Sequence, residues 1–467
     1  MSAQQDPSAP AGERASARGE ASGRPLWVSA GEVSGDMHGG LLVQAMKKRD
    51  PGLVFTGMGG KAMQAAGVDT RFRMEQLSVM GISEVFGHLP KILRLLADIR
   101  AELQRLRPRA VIVIDAPDFH FRVIKAARSL DIPVYYYISP KIWAWRQGRA
   151  EFIRANVRKL ISILPFEVDF YRQFAMEVEY VGNPLVDIVD FQALSSIQPV
   201  EGRIGILPGS RKKEVASLMP EFGGAARILL DRLPHLSFVC MRAPTMDEGY
   251  LRSFWPAEVP LTVLPAENRW QEMRRCEMLF AASGTVTLES SIAGVPTIAA
   301  YKVSALTEFV GKHLIKAPYM SLTNLILGRE ALPECIQREA EAGVLAEKAL
   351  AWLAPEGSAP EGGTAGKHAL ESVGPQRGSA KWGSVKENTF LRGITRKAGD
   401  TGNRAKGGTA NYRTPERDGD QGGDTDRKNT ALAAARKDLD ELREKLGAPG
   451  AADRAAAALL ADMVCLE

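Results

Sequence analysis

Two doubly wound α/β domains, each a parallel sheet covered by helices on both faces, are predicted by three features of the sequence. From residue 26 to about 353, short apolar runs rich in Val, Ile and aromatic residues alternate with longer amphipathic stretches. This is the pattern of strands buried on both faces and of the helices that cover them. The runs fall into two series, and each opens with a Gly-rich strand-to-helix turn, which argues for two such units. The length agrees, since 467 residues correspond to about three domains at ~150 residues each.

Taken in order, residues 1–24 hold Ala, Ser, Gly, Arg and Glu without the apolar run of ~7–15 residues that a signal peptide needs, and they read as a disordered tail. The first domain, 25–188, contains Leu26-Trp27-Val28, Val111-Ile112-Val113-Ile114, Val134-Tyr135-Tyr136-Tyr137-Ile138 and Leu160-Ile161-Ser162-Ile163-Leu164. A seam near 184–198 leads into the second domain, 189–353. Its runs are Ile204-Gly205-Ile206-Leu207, Leu236-Ser237-Phe238-Val239, Met278-Leu279-Phe280 and Thr297-Ile298-Ala299. Residues 354–429 are rich in Gly and in charges of both signs, with hardly an aliphatic run. Such a segment cannot bury enough apolar surface to offset its ordering entropy and is expected to be a disordered insertion. Helices return in 430–467, where Leu432, Leu439, Leu442 and Leu446 recur at helical spacing.

Composition narrows the function classes. Apolar residues at 45% and charged residues at 25% exclude a wholly disordered or fibrous chain. A net charge of +5 gives no concentrated basic face, so nucleic acid is not an expected partner. Cys240, Cys276, Cys335 and Cys465 lie far apart, without a metal-ligand spacing, so no metal or cofactor is assigned and a disulfide scaffold is excluded. No stretch approaches the ~20 apolar residues of a membrane span.

Strand ends carry the candidate chemistry. Ser29 to Gly40, after the first strand, includes Glu32, Ser34 and Asp36 among small residues. The small residues would let a ligand approach a helix N-terminus, and the acidic pair favours hydroxyl donors over phosphate. A helix start capped by Ser34 or Asp36 is the structural alternative. Asp115 ends the Val111–Ile114 run, where the ligand crevice of an open α/β sheet lies, and is the candidate general base. Asp118 reads as a helix cap and His120 as a packed or hydrogen-bonding histidine. In the second domain, Leu207-Pro208-Gly209-Ser210-Arg211 offers Arg211 as a diphosphate clamp. Ser283-Gly284-Thr285 offers hydroxyls and free amides to phosphate, and Glu289, one turn on, can accept ribose hydroxyls. Residues 137–149 crowd Trp143 and Trp145 with Lys141, Arg146 and Arg149, which suits sugar stacking, a membrane surface or a core helix start. Val85, Phe86, Leu89, Ile92 and Leu93 form an apolar face beside Lys91 and Arg94, either core or an interfacial patch.

Nine motifs in order carry a family resemblance over 26–337. They are SAGEVSGD (29–36), MGISEVFG (80–87), DAPDF (115–119), YISPKIWAWRQGR (137–149), LPFE (164–167), YVGNPL (180–185), LPGSRKKE (207–214), ASGTVTLE (282–289) and SLTNLILGRE (321–330). The chain resembles the lipid-A-disaccharide synthases, glycosyltransferases of the GT-B architecture in which two Rossmann-like domains face a cleft. The resemblance implies transfer of diacylglucosamine from UDP-2,3-diacylglucosamine to 2,3-diacylglucosamine 1-phosphate (lipid X), forming a β-1,6 disaccharide and releasing UDP. It assigns Asp115 as base, Arg211, Ser283, Gly284, Thr285 and Glu289 to UDP, and Asn324 to the active-site region. Glu32, Ser34 and Asp36 complete the expected substrate-binding set. Val85, Phe86, Leu89, Ile92 and Leu93 match an acyl or membrane patch. That match implies a cytoplasmic protein held peripherally on the anionic inner-membrane surface. In some members the C-terminal helices are exchanged between protomers, which adds a homodimer to the expectations. The chain departs from the family at His120, where an Asn follows DAPDF, and at 355–429, which has no counterpart in the family pattern. The rival readings are another UDP-sugar transferase or epimerase of this architecture, or a non-catalytic nucleotide-sugar or lipid binder. The pairing of Asp115 with the UDP loops argues against a mere binder.

Overall fold

The computed structural model describes residues 23–78, 85–303, 317–353 and 430–465, with the side chains of 78, 85–89 and 430 outside that description. The tail 1–22 and the expected insertion 354–429 therefore lie outside the described residues.

Two parallel sheets form. The first has seven strands in the order β3-β2-β1-β4-β5-β6-β7: β1 (Leu26–Ala30), β2 (Phe55–Gly59), β3 (Val68–Arg73), β4 (Ala110–Ile114), β5 (Val134–Tyr137), β6 (Lys159–Ser162) and β7 (Glu179–Tyr180). The second has six, in the order β10-β9-β8-β11-β12-β13: β8 (Arg203–Leu207), β9 (Ser237–Met241), β10 (Thr262–Leu264), β11 (Met278–Ala282), β12 (Thr297–Tyr301) and β13 (Glu334–Ile336). The central strands β1, β4 and β11 are buried at every residue, which is why they appear in the sequence as continuous apolar runs instead of alternating ones.

Strand order reverses between β1 and β4 in the first sheet and between β8 and β11 in the second. At such switch points the connections leave to opposite sides and open a crevice at the carboxyl ends of the strands. The loops after β1 and β4 thus face one crevice, and those after β8 and β11 face the other.

Helix α1 (Val33–Arg49) follows β1, and its glycines serve packing. A Cβ on Gly39 would meet Ile114 Cδ1 and Met63 Sδ at 2.9 Å, and one on Gly40 would meet the Ala62 carbonyl oxygen at 2.9 Å. The small residues of this motif bring α1 close to β4 and to α2 (Lys61–Ala65). Helices α3 (Val85–Leu106) and α4 (Pro117–Arg128) precede and follow β4, and α5 (Ile142–Trp145) follows β5. In the second lobe α6 (Lys212–Arg232) follows β8, α7 (Thr285–Ile292) follows β11 and α8 (Leu322–Leu327) precedes β13.

The C-terminal helices α9 (Thr430–Leu446) and α10 (Ala451–Val464) join both lobes. Leu432 and Ala435 of α9 pack in the core beneath the second sheet, whereas Ala455, Ala456 and Leu459 of α10 pack with Leu42, Val43 and Met46 of α1. The turn between them lies on the connection from β7 to β8. Asp187 caps α10 by accepting from the amides of Gly450 (2.7 Å), Ala451 and Ala452 (both 3.2 Å), and Arg454 Nε donates to the Val181 carbonyl (2.8 Å). A single buried cluster contains Trp27 and Val113 of the first lobe together with Leu207, Leu279 and Leu288 of the second, so the seam is packed.

Candidate functional site

A cavity of about 470 Å³ opens between the two switch points. Glu32, Ser34, Asp115 and Lys141 line it from the first lobe. Arg211, Ser283, Gly284, Thr285 and Glu289 line it from the second, joined by Gly209, Glu214, Arg242 and Arg269.

The Asp115 turn is built with strain. Asp115 and Ala116 both take left-handed backbone conformations, with φ of 49° and 44°. Such residues cost ~1–3 kcal/mol each and persist only where the surroundings hold them. Here the Asp115 carbonyl accepts from the Tyr136 hydroxyl (2.8 Å) and from His120 Nδ1 (2.7 Å). A carbonyl can only accept, so Nδ1 carries the proton. Nε2 then accepts from the Ser29 hydroxyl at 3.0 Å. Burial pushes His120 down to about 4, so the ring is neutral near pH 7. His120 thus braces the ends of β1 and β4. Gly31 completes the junction, since a Cβ there would meet Ala116 Cβ at 2.8 Å.

Burial raises the Asp115 carboxyl above its ordinary value; the Lys141 ammonium opposes the rise and the Glu32 carboxylate adds to it. Asp118, its neighbour in sequence, does not cap α4, whose N-cap is Ala116. It accepts from Arg146 (2.8 Å) and Arg149 (2.6 Å), and these two guanidiniums outweigh its partial burial and hold it below the usual range.

On the facing wall, Gly209 has φ of 103°, a conformation that favours glycine, and turns the chain from β8 toward α6. Arg211 follows with its side chain 81% exposed, donating to Glu214 of its own helix (2.8 Å). Beyond β11, the Ser283 amide is spent on the Ala300 carbonyl (2.8 Å), so the free amide expected there is absent. The helix begins at Thr285; the Thr287 amide already donates to the Gly284 carbonyl (3.2 Å), which leaves the amides of Thr285 and Val286 for a ligand. Ser283, Gly284, Thr285 and Val286 line the cavity. Glu289 is buried. Its Oε1 accepts from Arg269 Nη2 (2.9 Å), while Oε2 has no partner among the described residues. Burial raises this carboxyl and Arg269 opposes the rise.

Two expected substrate binders are turned away. Asp36 is buried outside the cavity and accepts from the amides of Gly60 (2.6 Å), Ala62 (2.9 Å) and Met63 (3.1 Å), fixing the start of α2. Asn324 is fully buried. Its Oδ1 accepts from the Ala331 and Leu332 amides (both 2.9 Å), and its Nδ2 donates to the Leu332 carbonyl (2.8 Å) and to Glu334 (2.9 Å). Each side chain organises a loop, neither lines the cavity, and the amide of Asn324 has all four positions filled. Lys141 and Arg269, conversely, reach the cavity without having been singled out as ligands. Lys141 lay inside a recognised motif, whereas Arg269 belongs to a six-residue helix with no motif at all.

The acyl or membrane patch is only partly described. Val85, Phe86 and Leu89 lie outside the described side chains. Leu93 is 52% exposed, but Ile92 packs against the core and is not part of a free surface. Trp145 is exposed with the Arg146 guanidinium 3.9 Å from its ring centre, whereas Trp143 is buried and donates to Glu167 (3.0 Å). No helix among the described residues is long and apolar enough to cross a membrane.

Two parallel-sheet lobes with paired switch points across one cleft define the GT-B class. The sequence profile described as lipid-A-disaccharide synthetase matches residues 26–377, running past 353 into the segment for which no family counterpart was expected. Lipid-A-disaccharide synthase of Syntrophus aciditrophicus is 39% identical over 70% of this chain and 87% of its own length. That of Myxococcus xanthus is 37% identical over 69% and 86%. Among solved structures, MurG of Acinetobacter baumannii aligns with a TM-score of 0.43 at 15% identity, over 69% of this chain and 89% of that one. The chain belongs to the lipid-A-disaccharide synthase family and is a glycosyltransferase.

Proposed function

We propose that the chain transfers the diacylglucosaminyl unit of UDP-2,3-diacylglucosamine to the 6-hydroxyl of 2,3-diacylglucosamine 1-phosphate, with inversion at the anomeric carbon. The observation that carries this reading is the opposition of Asp115 to the α7 N-terminus and Glu289 across one cavity. Asp115 takes the proton from the acceptor hydroxyl while that oxygen bonds to the anomeric carbon of the donor. The bond from that carbon to the UDP oxygen breaks on the opposite face, the geometry of an in-line inverting displacement. The departing diphosphate is met by the Thr285 and Val286 amides of α7 and by Arg211, and the free oxygen of Glu289 accepts from the ribose. Mass spectrometry of the purified chain with these two substrates is expected to show the disaccharide 1-phosphate and UDP. Conversion of UDP-diacylglucosamine without joining, or turnover of an unacylated UDP-sugar in its place, would refute the assignment.

Acylated substrates also require access to a lipid surface, and we place the chain peripherally on the cytoplasmic face of the inner membrane. Support comes from exposed Leu93 on α3 with Lys91 and Arg94 exposed beside it. Each cation near an anionic surface contributes ~1 kcal/mol, weakened by salt. Flotation with phosphatidylglycerol vesicles is expected to fall several-fold in Leu93→Ser with the melting temperature unchanged, because a half-exposed leucine forfeits only about 1 kcal/mol of lipid burial. Ile92→Ser, in contrast, lowers the melting temperature. Flotation unaffected by Leu93→Ser and by salt would remove the patch from the interface.

A further inference from the structure

The cavity is lined by four cationic side chains, and three of them are engaged. Arg211 donates to Glu214 (2.8 Å), Arg269 to Glu289 (2.9 Å) and Arg242 to the Met246 carbonyl (3.0 Å). The Lys141 ammonium makes no hydrogen bond or ion pair with any of the described residues, although it shares the first-lobe wall with Asp115.

This lysine is held by a braced turn. It is the N-cap residue of the short helix α5, whose first two residues, Ile142 and Trp143, are buried. Beneath it, Trp143 Nε1 donates to Glu167 (3.0 Å) and the Ser139 hydroxyl donates to that of Tyr171 (2.8 Å). Glu167 is itself fully buried and receives the Ser162 hydroxyl as well. A buried carboxyl with so many partners fixes the backbone from which an exposed ammonium enters the cleft. An unpaired ammonium is a compact point charge suited to a phosphate. The second lobe already supplies the elements that face a diphosphate, so the charge on the opposite wall is left for the other substrate.

We propose that Lys141 anchors the acceptor's anomeric phosphate and so selects a phosphorylated acceptor over the free sugar. This rests on the reading given under Proposed function. In the hexose, the C5 that carries the 6-hydroxymethyl group and the C1 that carries the phosphate both flank the ring oxygen, so both contacts can be made from one wall. The Lys141 charge serves a second purpose in the same place, since it opposes the rise that burial imposes on Asp115.

The test compares kcat/KM for 2,3-diacylglucosamine 1-phosphate and for the same sugar without its phosphate, at saturating donor. In Lys141→Met the preference for the phosphorylated acceptor is expected to fall about ten- to a hundred-fold, the value of one charge-assisted contact. It falls further in Lys141→Glu, and Lys141→Arg restores most of it. UDP affinity measured by calorimetry stays unchanged in all three. Absence of any disaccharide from the unmodified chain would defeat the functional reading and the anchor with it, an outcome that this control separates from failure of the anchor alone. An unchanged preference in Lys141→Met overturns the anchor. So does an equal loss on both acceptors with the acid limb of the pH profile displaced, which would leave Lys141 with its effect on Asp115 alone. Weakened UDP binding would assign the ammonium to the donor and overturn it as well.

Discussion

Replacing Asp115 with Asn lowers kcat by at least ~10²-fold, the lower end of general-base contributions, and leaves UDP affinity intact. The substitution isolates the chemistry because Asn is nearly isosteric and, like Asp, tolerates the left-handed backbone that residue 115 adopts. Its carbonyl remains held by Tyr136 and His120. Ala, by contrast, would strain the turn and confuse geometry with acid–base loss. The pH dependence follows from the same carboxyl. A base must be ionised, and burial raises this one, so kcat/KM of the unmodified chain climbs with pH along a limb above the ordinary ~3.9 of aspartate. That limb disappears in the variant. Stability moves the other way. A carboxyl raised in the folded state contributes stability that is present below the unfolded value and lost as pH rises through the folded one. The amide of Asp115→Asn, always neutral, is spared that loss, so the variant melts no lower than the unmodified chain at neutral pH. Near-normal turnover would transfer the role to Glu32, which lines the same wall. Asp118 is occupied by two arginines and His120 is locked between Ser29 and Asp115, so neither can substitute.

The reading from sequence reached the cleft because strand ends can be located without knowing the fold. Continuous apolar runs mark β1, β4, β8 and β11, and whatever follows them faces a crevice if the sheet is doubly wound. Asp115, Arg211, Ser283 and Glu289 were found in that way. What failed was the direction of side chains within a correctly placed motif. Ser34 and Asp36 lie two residues apart on α1, and at about 100° per residue they point to nearly opposite sides. Ser34 enters the cavity, while Asp36 turns toward α2, whose distance and amides were not readable from the motif. Asn324 failed for a related reason. Its four partners belong to a loop that only the fold brings around it. His120 shows the converse, because a departure from the family pattern becomes intelligible once Ser29 and the Asp115 carbonyl are seen on either side of the ring. The leucines of α9 were legible as a stripe, but not the fact that Leu432 joins the second-lobe core while Leu446 reaches the seam.

Glu289→Ala is expected to weaken UDP and uridine by the same factor, about 10- to 100-fold, whereas Arg211→Ala weakens UDP alone. The contrast arises from what each side chain faces. Glu289 is buried, and one of its oxygens lacks any partner among the described residues, so a ribose hydroxyl donating to it gains a bond in a medium of low effective dielectric and relieves an unpaired acceptor. Removing the carboxylate forfeits that bond whether or not phosphates are attached. Arg211 is 81% exposed and must first leave Glu214, so its grip on a diphosphate is screened by water, and about ten-fold is the loss expected for UDP. Uridine carries no phosphate for Arg211 to hold. Glu289→Gln separates the bond from its charge. It keeps one acceptor oxygen, which recovers part of the affinity when it faces the ribose; the amide nitrogen then faces Arg269 and the ion pair is lost. Calorimetric titration with both ligands measures all of this, and the melting transition of each variant shows whether the unpaired Arg269 has disturbed the fold. If Glu289→Ala spared uridine and weakened only UDP, the carboxylate would be acting through Arg269 on the phosphates, and the ribose would have to find its acceptor elsewhere along the second-lobe wall.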